Sequence, residues 1–124
     1  MFIIDEDLTM HLTRGDAAVF TAGAISGEEP YSFRVGDVVR FTICTKKNYA
    51  DVVLQKDFTV TEEKETVKIS LNSEDTNIGG AISKPVEYWY EVELNPETHP
   101  QTIIGHTQDG AKVFMLYPES VRGE

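Results

Sequence analysis

Apolar and polar residues alternate with a period of two along much of the chain. Leu8, Met10 and Leu12 alternate with Thr9, His11 and Thr13. Val39, Phe41 and Ile43 alternate with Arg40, Thr42 and Cys44, and Val67, Ile69 and Leu71 with Thr66, Lys68 and Ser70. The longest run sets Val86, Tyr88, Tyr90, Val92 and Leu94 against Glu87, Trp89, Glu91 and Glu93. A strand sends successive side chains to opposite faces, so each run predicts a strand with one dry face, the pattern of antiparallel sheets. The alternate face of the last run carries three carboxylates and a Trp, which predicts a face that is at least partly wet. Phe41, Ile43, Tyr88, Tyr90 and Val92 are the expected core.

Shorter strand patterns cover Ala17 to Ala22, Asp51 to Leu54, Lys56 to Val60, Thr102 to Ile104 and Lys112 to Leu116. Turn residues punctuate them: Arg14-Gly15-Asp16, Gly27-Glu28-Glu29-Pro30, Val35-Gly36-Asp37, Asn95-Pro96-Glu97-Thr98 and Gln108-Asp109-Gly110. Gly15 and Gly36 suit positive φ, and Asp16 and Asp37 can bond nearby backbone N–H groups. Asp109-Gly110 reads as a hairpin turn. One helical turn fits within Ser73 to Ile78, with Asn72 or Ser73 as its cap and Gly79-Gly80 as its end. Many short strands at this spacing predict an all-β fold, an antiparallel β-sandwich. One domain is expected over residues 1–119, followed by a loose tail at 120–124.

Length and charge narrow the function. At 124 residues the chain is long enough to bury a sizeable core without metal or disulfide staples. Eleven Lys and Arg against 21 Asp and Glu give a net charge of −10. Such a surface repels nucleic-acid phosphates and anionic membranes, so neither is an expected partner. Cys44 is the single cysteine, which excludes an intrachain disulfide. Met1-Phe2-Ile3-Ile4 runs straight into Asp5-Glu6-Asp7, unlike a signal peptide, and synthesis in the cytosol is the expectation.

Chemical motifs are scarce. His11, His99 and His106 lack the spacing of a helical zinc site. Cys44 sits on a strong strand pattern, away from any helix N-terminus that would activate it, and reads as a small semi-buried residue. No G-x-S-x-G motif and no phosphate-binding loop is present. Glu87, Glu91 and Glu93 share a strand face, where mutual repulsion favours solvation or a Lys or Arg partner, and an acidic chain offers such carboxylate pairs by chance. No catalytic residue, metal or cofactor is expected. Trp89 interrupts that charged face. It fits a loop-covered second layer of core, a protein interface or a platform for a sugar ring. Phe2, Ile3 and Ile4 lie too near the terminus to be needed for a core, so a partner that buries them is expected. A short apolar segment of this kind can add to a neighbour's sheet edge.

The order of the motifs resembles a known family. Thr13-Arg14-Gly15-Asp16 is followed by Val35-Gly36-Asp37-Val38-Val39-Arg40-Phe41-Thr42-Ile43, then Val67-Lys68-Ile69-Ser70-Leu71, Asp75-Thr76, Tyr88-Trp89-Tyr90-Glu91-Val92-Glu93-Leu94 and Thr102 to Gly105. This resembles the N-terminal domain of upper baseplate proteins of tailed phages of Gram-positive bacteria, and small prophage proteins of that type. The resemblance spans roughly Leu8 to Leu116. It implies an immunoglobulin-like or jelly-roll-like sandwich without catalysis. It also implies a virion protein, made in the host cytoplasm, that docks to other tail or baseplate proteins. A homo-oligomer, with a trimer as one form, fits the same resemblance. The chain ends just after the domain, without a coiled-coil linker or receptor-binding head, so an adaptor or decoration role is expected. Phe2, Ile3, Ile4 and Trp89 are the expected interface anchors. The alternative reading is a carbohydrate-binding sandwich built around Trp89, with calcium a minor option because no D-x-D-x-D-G loop is present.

Overall fold

The computed structural model describes residues 1–26, 28–47, 50–79, 82–105 and 110–119. Along them run eleven strands: β1 (Phe2–Ile4), β2 (Met10–Thr13), β3 (Ala18–Ala22), β4 (Ile25–Ser26), β5 (Glu29–Pro30), β6 (Val38–Cys44), β7 (Val52–Thr59), β8 (Val67–Leu71), β9 (Val86–Leu94), β10 (Gln101–Ile104) and β11 (Lys112–Tyr117). Seven of them form one sheet, in the order β1-β2-β11-β9-β6-β7, with β10 also paired to β9. β3 and β8 form a two-stranded ribbon that packs on one face of that sheet, and β4 and β5 form a small hairpin. The fold is all-β, a two-sheet sandwich-like arrangement, with no helix among the described residues. Its pairings are antiparallel except β2 with β11, which is parallel.

Alternation decides which face is dry. β3 and β8 each bury every second residue, so Ala18, Phe20, Ala22, Val67, Ile69 and Leu71 point at the large sheet. β9 answers with Tyr88, Tyr90, Val92 and Leu94, and β6 with Val39, Phe41 and Ile43, all buried as the sequence pattern requires. A chain of rings crosses the core. Phe2 lies 6.0 Å from Phe20, Phe20 meets Phe41 edge-on at 5.6 Å, and Phe41 lies 5.8 Å from Tyr90. Offset and edge-on ring pairs stabilise beyond the area they bury. Lys56 of β7 closes one side of the sandwich, donating to the Ser70 carbonyl at 2.9 Å and to Asp75 at 2.6 Å.

The turns follow the expected chemistry in part. Gly15 and Gly36 have φ of +86° and +96°, where a side chain would be strained. Asp37 fixes its turn by accepting from the Arg34 N–H at 2.9 Å. Asp16 behaves differently: its carboxylate takes the N-terminal ammonium of Met1, and its own N–H closes the turn onto Thr13. Asn72 to Asn77 makes a hydrogen-bonded turn, with Thr76 N–H on the Asn72 carbonyl at 3.3 Å, and does not extend into a helix. The residues at Gly27, Tyr49, Gly80, His106, Asp109 and 120–124 lie outside the described residues, so the expected Asp109-Gly110 hairpin, the Gly80 stop and the loose tail fall there too.

Three strand expectations need correction. Leu8 falls outside β2 because its φ of +70° breaks the extended backbone. Asp51 to Leu54 and Lys56 to Val60 merge into one strand, β7 (Val52–Thr59), in which Gln55 is an exposed position between half-buried Leu54 and Lys56. Phe2–Ile4 is ordered by its own chain, as β1 paired to β2.

Tyr90 ties the middle of the large sheet to its margin. Its ring is fully buried and its hydroxyl donates to the Leu8 carbonyl at 2.5 Å. Tyr90→Phe should cost about 1 kcal/mol, the net worth of one hydrogen bond. Tyr90→Ala should cost roughly 3–5 kcal/mol, as large aromatic truncations do. Urea denaturation of the three proteins measures both, and equal midpoints for parent and Ala variant would mean that Tyr90 is not core.

Candidate functional site

Three surface regions gather the residues singled out by sequence. The first is a pair of unpaired strand edges. β1 and β7 are the outermost strands of the large sheet. In β1, Phe2 is drawn inward against Phe20, but Ile3 stays 52% exposed and Ile4 37%. At the other margin Val52 is 51% exposed and Val53 40%. Sequence reasoning found the first pair and missed the second. The signal was present in Val52-Val53-Leu54, an apolar run without alternation at the start of a strand.

The second region is the face of the large sheet turned away from the ribbon. Trp89 sits there, half-buried, in register with Cys44 of β6 on one side and Val113 of β11 on the other. β11 and β2 separate its strand from β1, which puts Trp89 about 14 Å of strand spacings from Ile3. The structure therefore does not bring the expected anchors into one patch.

This face is drier than its carboxylates predicted. Cys44 is fully buried, not semi-buried, and Thr42 is only 4% exposed. Burial pushes the Cys44 thiol up, with Glu91 and Asp51 adding to it, so the thiolate needed of a nucleophile is disfavoured. Glu91 pairs in register with Thr42 and falls between the registers of β10, which reaches Val92, and β11, which starts at Tyr90. Burial and the neighbouring Glu93 carboxylate raise its pKa above the usual carboxylate range. Glu93 stands in register with Arg40, whose guanidinium is held by Asp57 at 2.7 and 3.0 Å and by Glu97 at 3.6 Å. The Thr42 hydroxyl has no hydrogen-bond partner among the described residues.

One polar group of three was invisible to the sequence. His11 Nε2 lies 2.7 Å from the Asp5 carboxylate and Nδ1 2.7 Å from the Tyr117 hydroxyl. With Nε2–H donating to Asp5, Nδ1 accepts from Tyr117. The order is acid, imidazole, hydroxyl, and its evident work is to fasten the chain after β1 onto β2 and β11. Sequence separations of 6 and 106 residues hid it.

The third region is a cleft of about 600 Å³ beside the β4–β5 hairpin and the turn into β10. Tyr31, Arg34, Asp37, Asn95, His99 and Gln101 line it. Burial pushes Asp37 up, but bonds from the Arg34 N–H, Asn95 and Tyr31 outweigh it and hold the carboxyl below its usual range. That carboxylate is thereby committed to the scaffold. Arg34, His99 and Gln101 remain to meet a polar or anionic group.

Among the described residues no group of three or more His, Cys, Asp and Glu side chains converges as metal ligands would. Comparison of the chain with family models, with curated proteins and with solved structures gives no match.

Two measurements follow from this face. Thr42→Val replaces an unsatisfied buried hydroxyl by a methyl of the same shape, and should stabilise by about 1 kcal/mol or more. A loss of stability in the melt would mean that the hydroxyl has a partner. The pH dependence has two arms. Glu91 is raised in the folded state, so its charge costs stability at neutral pH and the cost is relieved as pH falls through its folded value. Asp37, Asp57 and Asp75 are lowered, so their stabilisation is present above the unfolded value and lost as pH falls below about 4. Melting temperature should therefore rise on mild acidification from pH 7 and then fall. Glu91→Gln should flatten the upper arm and leave the lower one.

Proposed function

We propose that the protein is a non-catalytic structural module of a phage or prophage tail or baseplate, working by docking to other tail proteins. The observation that carries this is the pair of strand edges with exposed Ile3, Ile4, Val52 and Val53 at opposite margins of one sheet. Edge strands are places where a second chain adds, and native sheets commonly blunt them with charge or proline. The buried thiol and the committed Asp37 carboxylate argue for structure over chemistry. The motif order from Thr13 to Gly105 supports the baseplate reading and an immunoglobulin-like or jelly-roll-like form of the sandwich. On this reading the protein is made in the host cytoplasm and resides in the virion. Trp89 serves as a second anchor on the outer face.

A carbohydrate-binding role is the second reading. The polar cleft with Arg34, His99 and Gln101 favours it more than Trp89 does, because a sugar needs convergent hydrogen-bonding groups beside any stacking ring. Immunogold labelling of particles from the host strain tests the first reading, with label expected at the tail. Particles without the protein would overturn it. Trp89→Ala should keep its far-ultraviolet circular dichroism and lower incorporation into particles. A glycan array, with and without calcium, tests the second reading, and strong binding by the parent would favour it.

A further inference from the structure

We propose that one partner of these edges is a second copy of this chain, joined head to tail, with β1 of one copy added antiparallel to β7 of the next. The inference rests on the docking reading and names its partner.

Backbone groups stand ready at both edges. The Met1 carbonyl accepts from Thr13 N–H and Asp5 N–H donates to the Thr9 carbonyl, so odd-numbered residues of this segment face β2. By alternation, the N–H and C=O of Phe2 and Ile4 face outward. Val60 N–H donates to the Asp37 carbonyl, which turns the even-numbered residues of β7 toward β6. Gln55 and Asp57 therefore offer their backbone groups outward, while a bulge between Leu54 and Val52 leaves Val53 without a register partner in β6. Each edge also carries two exposed apolar side chains, so pairing would remove apolar surface from water at both.

Charge selects the geometry. β1 leads directly into Asp5, Glu6 and Asp7, all exposed, with Asp5 bonded to His11 and Asp7 to the Thr9 N–H. The turn before β7 carries Lys46 and Lys47, also exposed, in a chain whose net charge is −10. Asp51 meets Lys46 at 3.3 Å, and Lys47 makes no ion pair among the described residues. Antiparallel addition runs the Asp5–Asp7 segment past Val52 toward these lysines. Parallel addition would run it along Lys56 and Asp57, where Lys56 is already bonded to Asp75 and Ser70. A symmetric pairing of two β7 strands about Gln55 would set Val53 against Asp57. Two β1 strands paired about Ile3 would match their apolar residues but bring no lysine to the acidic segments, whereas opposed unlike edges bring acid to base. Such a contact is heterologous, so each copy retains one free edge and association closes as a ring or runs on. With three residues in β1 the contact is weak, concentration-dependent and sensitive to salt.

Sedimentation velocity of the full chain over a wide concentration range is the test. The parent should associate at high concentration, less so at high salt. Ile4→Lys spoils the β1 edge and Val53→Lys the β7 edge, and each variant alone should stay monomeric. Mixed together they should form one-to-one heterodimers and nothing larger, because each keeps the edge that the other has lost. Melts check that both variants fold. Glu6→Lys changes one exposed group and spares the Asp7 bond to the Thr9 N–H; it should weaken association of the parent chain, and Lys47→Glu on the partner should restore it. A parent that stays monomeric throughout, a mixture that stays monomeric, or either edge variant dimerising alone would overturn the proposal. Tail labelling of particles by a monomeric parent would leave the docking reading standing while this inference falls.

Discussion

Everything else in this fold depends on β9 having a neighbour along both of its edges. It is the longest strand, nine residues, and β6 pairs with one side of it while β11 and then β10 share the other. A central strand of that length must bury one whole face, and Tyr88, Tyr90, Val92 and Leu94 do so. The ribbon of β3 and β8 is the lid that this face requires. The position of β1 follows in turn, since β11 brings β2 alongside and β2 brings β1. The Tyr90 hydroxyl, bonded to Leu8, reaches from the centre of the core to the segment that joins the last two.

How much of this was legible depends on the kind of signal. Strands with one dry face announced themselves, because burying alternate residues leaves a period of two in the sequence. β9 matches the expected residues end to end, and β6 and β8 within a residue. Edge and connecting elements did not announce themselves. β1 has only three residues, too few for a period to show, and β4 and β5 have two each. β7 was split because the half-buried position after Gln55 is filled by Lys56, so burial alternates there while hydrophobicity does not. The parallel pairing of β2 with β11 is set by non-local contacts that no local pattern encodes.

The candidate site was legible where one residue departs from its surroundings and hidden where distant residues converge. Ile3 and Ile4 stood out by position and remain exposed, but the expectation that a partner must order them gave way to pairing with β2. Trp89 stood out on a charged face and lies half-buried there. The polar cleft draws on loops near residues 23–37 and 94–103, which meet only through the fold. The outer face misled for a different reason. Carboxylates suggested water, yet Cys44 and Thr42 beneath them are dry, and the raised Glu91 records what that costs.

Net charge and edge chemistry act on different length scales, and that difference shapes how such a module associates. A charge of −10 makes two copies repel at long range, with a reach of about 10 Å at ordinary ionic strength. An unpaired strand edge acts only at hydrogen-bonding distance. Non-specific aggregation through exposed valines and isoleucines is therefore opposed before contact, the task that lysines or prolines perform on other sheets. Lys46 and Lys47 interrupt that repulsion locally, on the turn that leads to Val52 and Val53. A uniformly acidic edge would protect the sheet and also forbid docking. An edge with a local basic break admits an acidic partner strand and discourages the rest, and specificity then comes from which approaches are repelled as much as from what is bound.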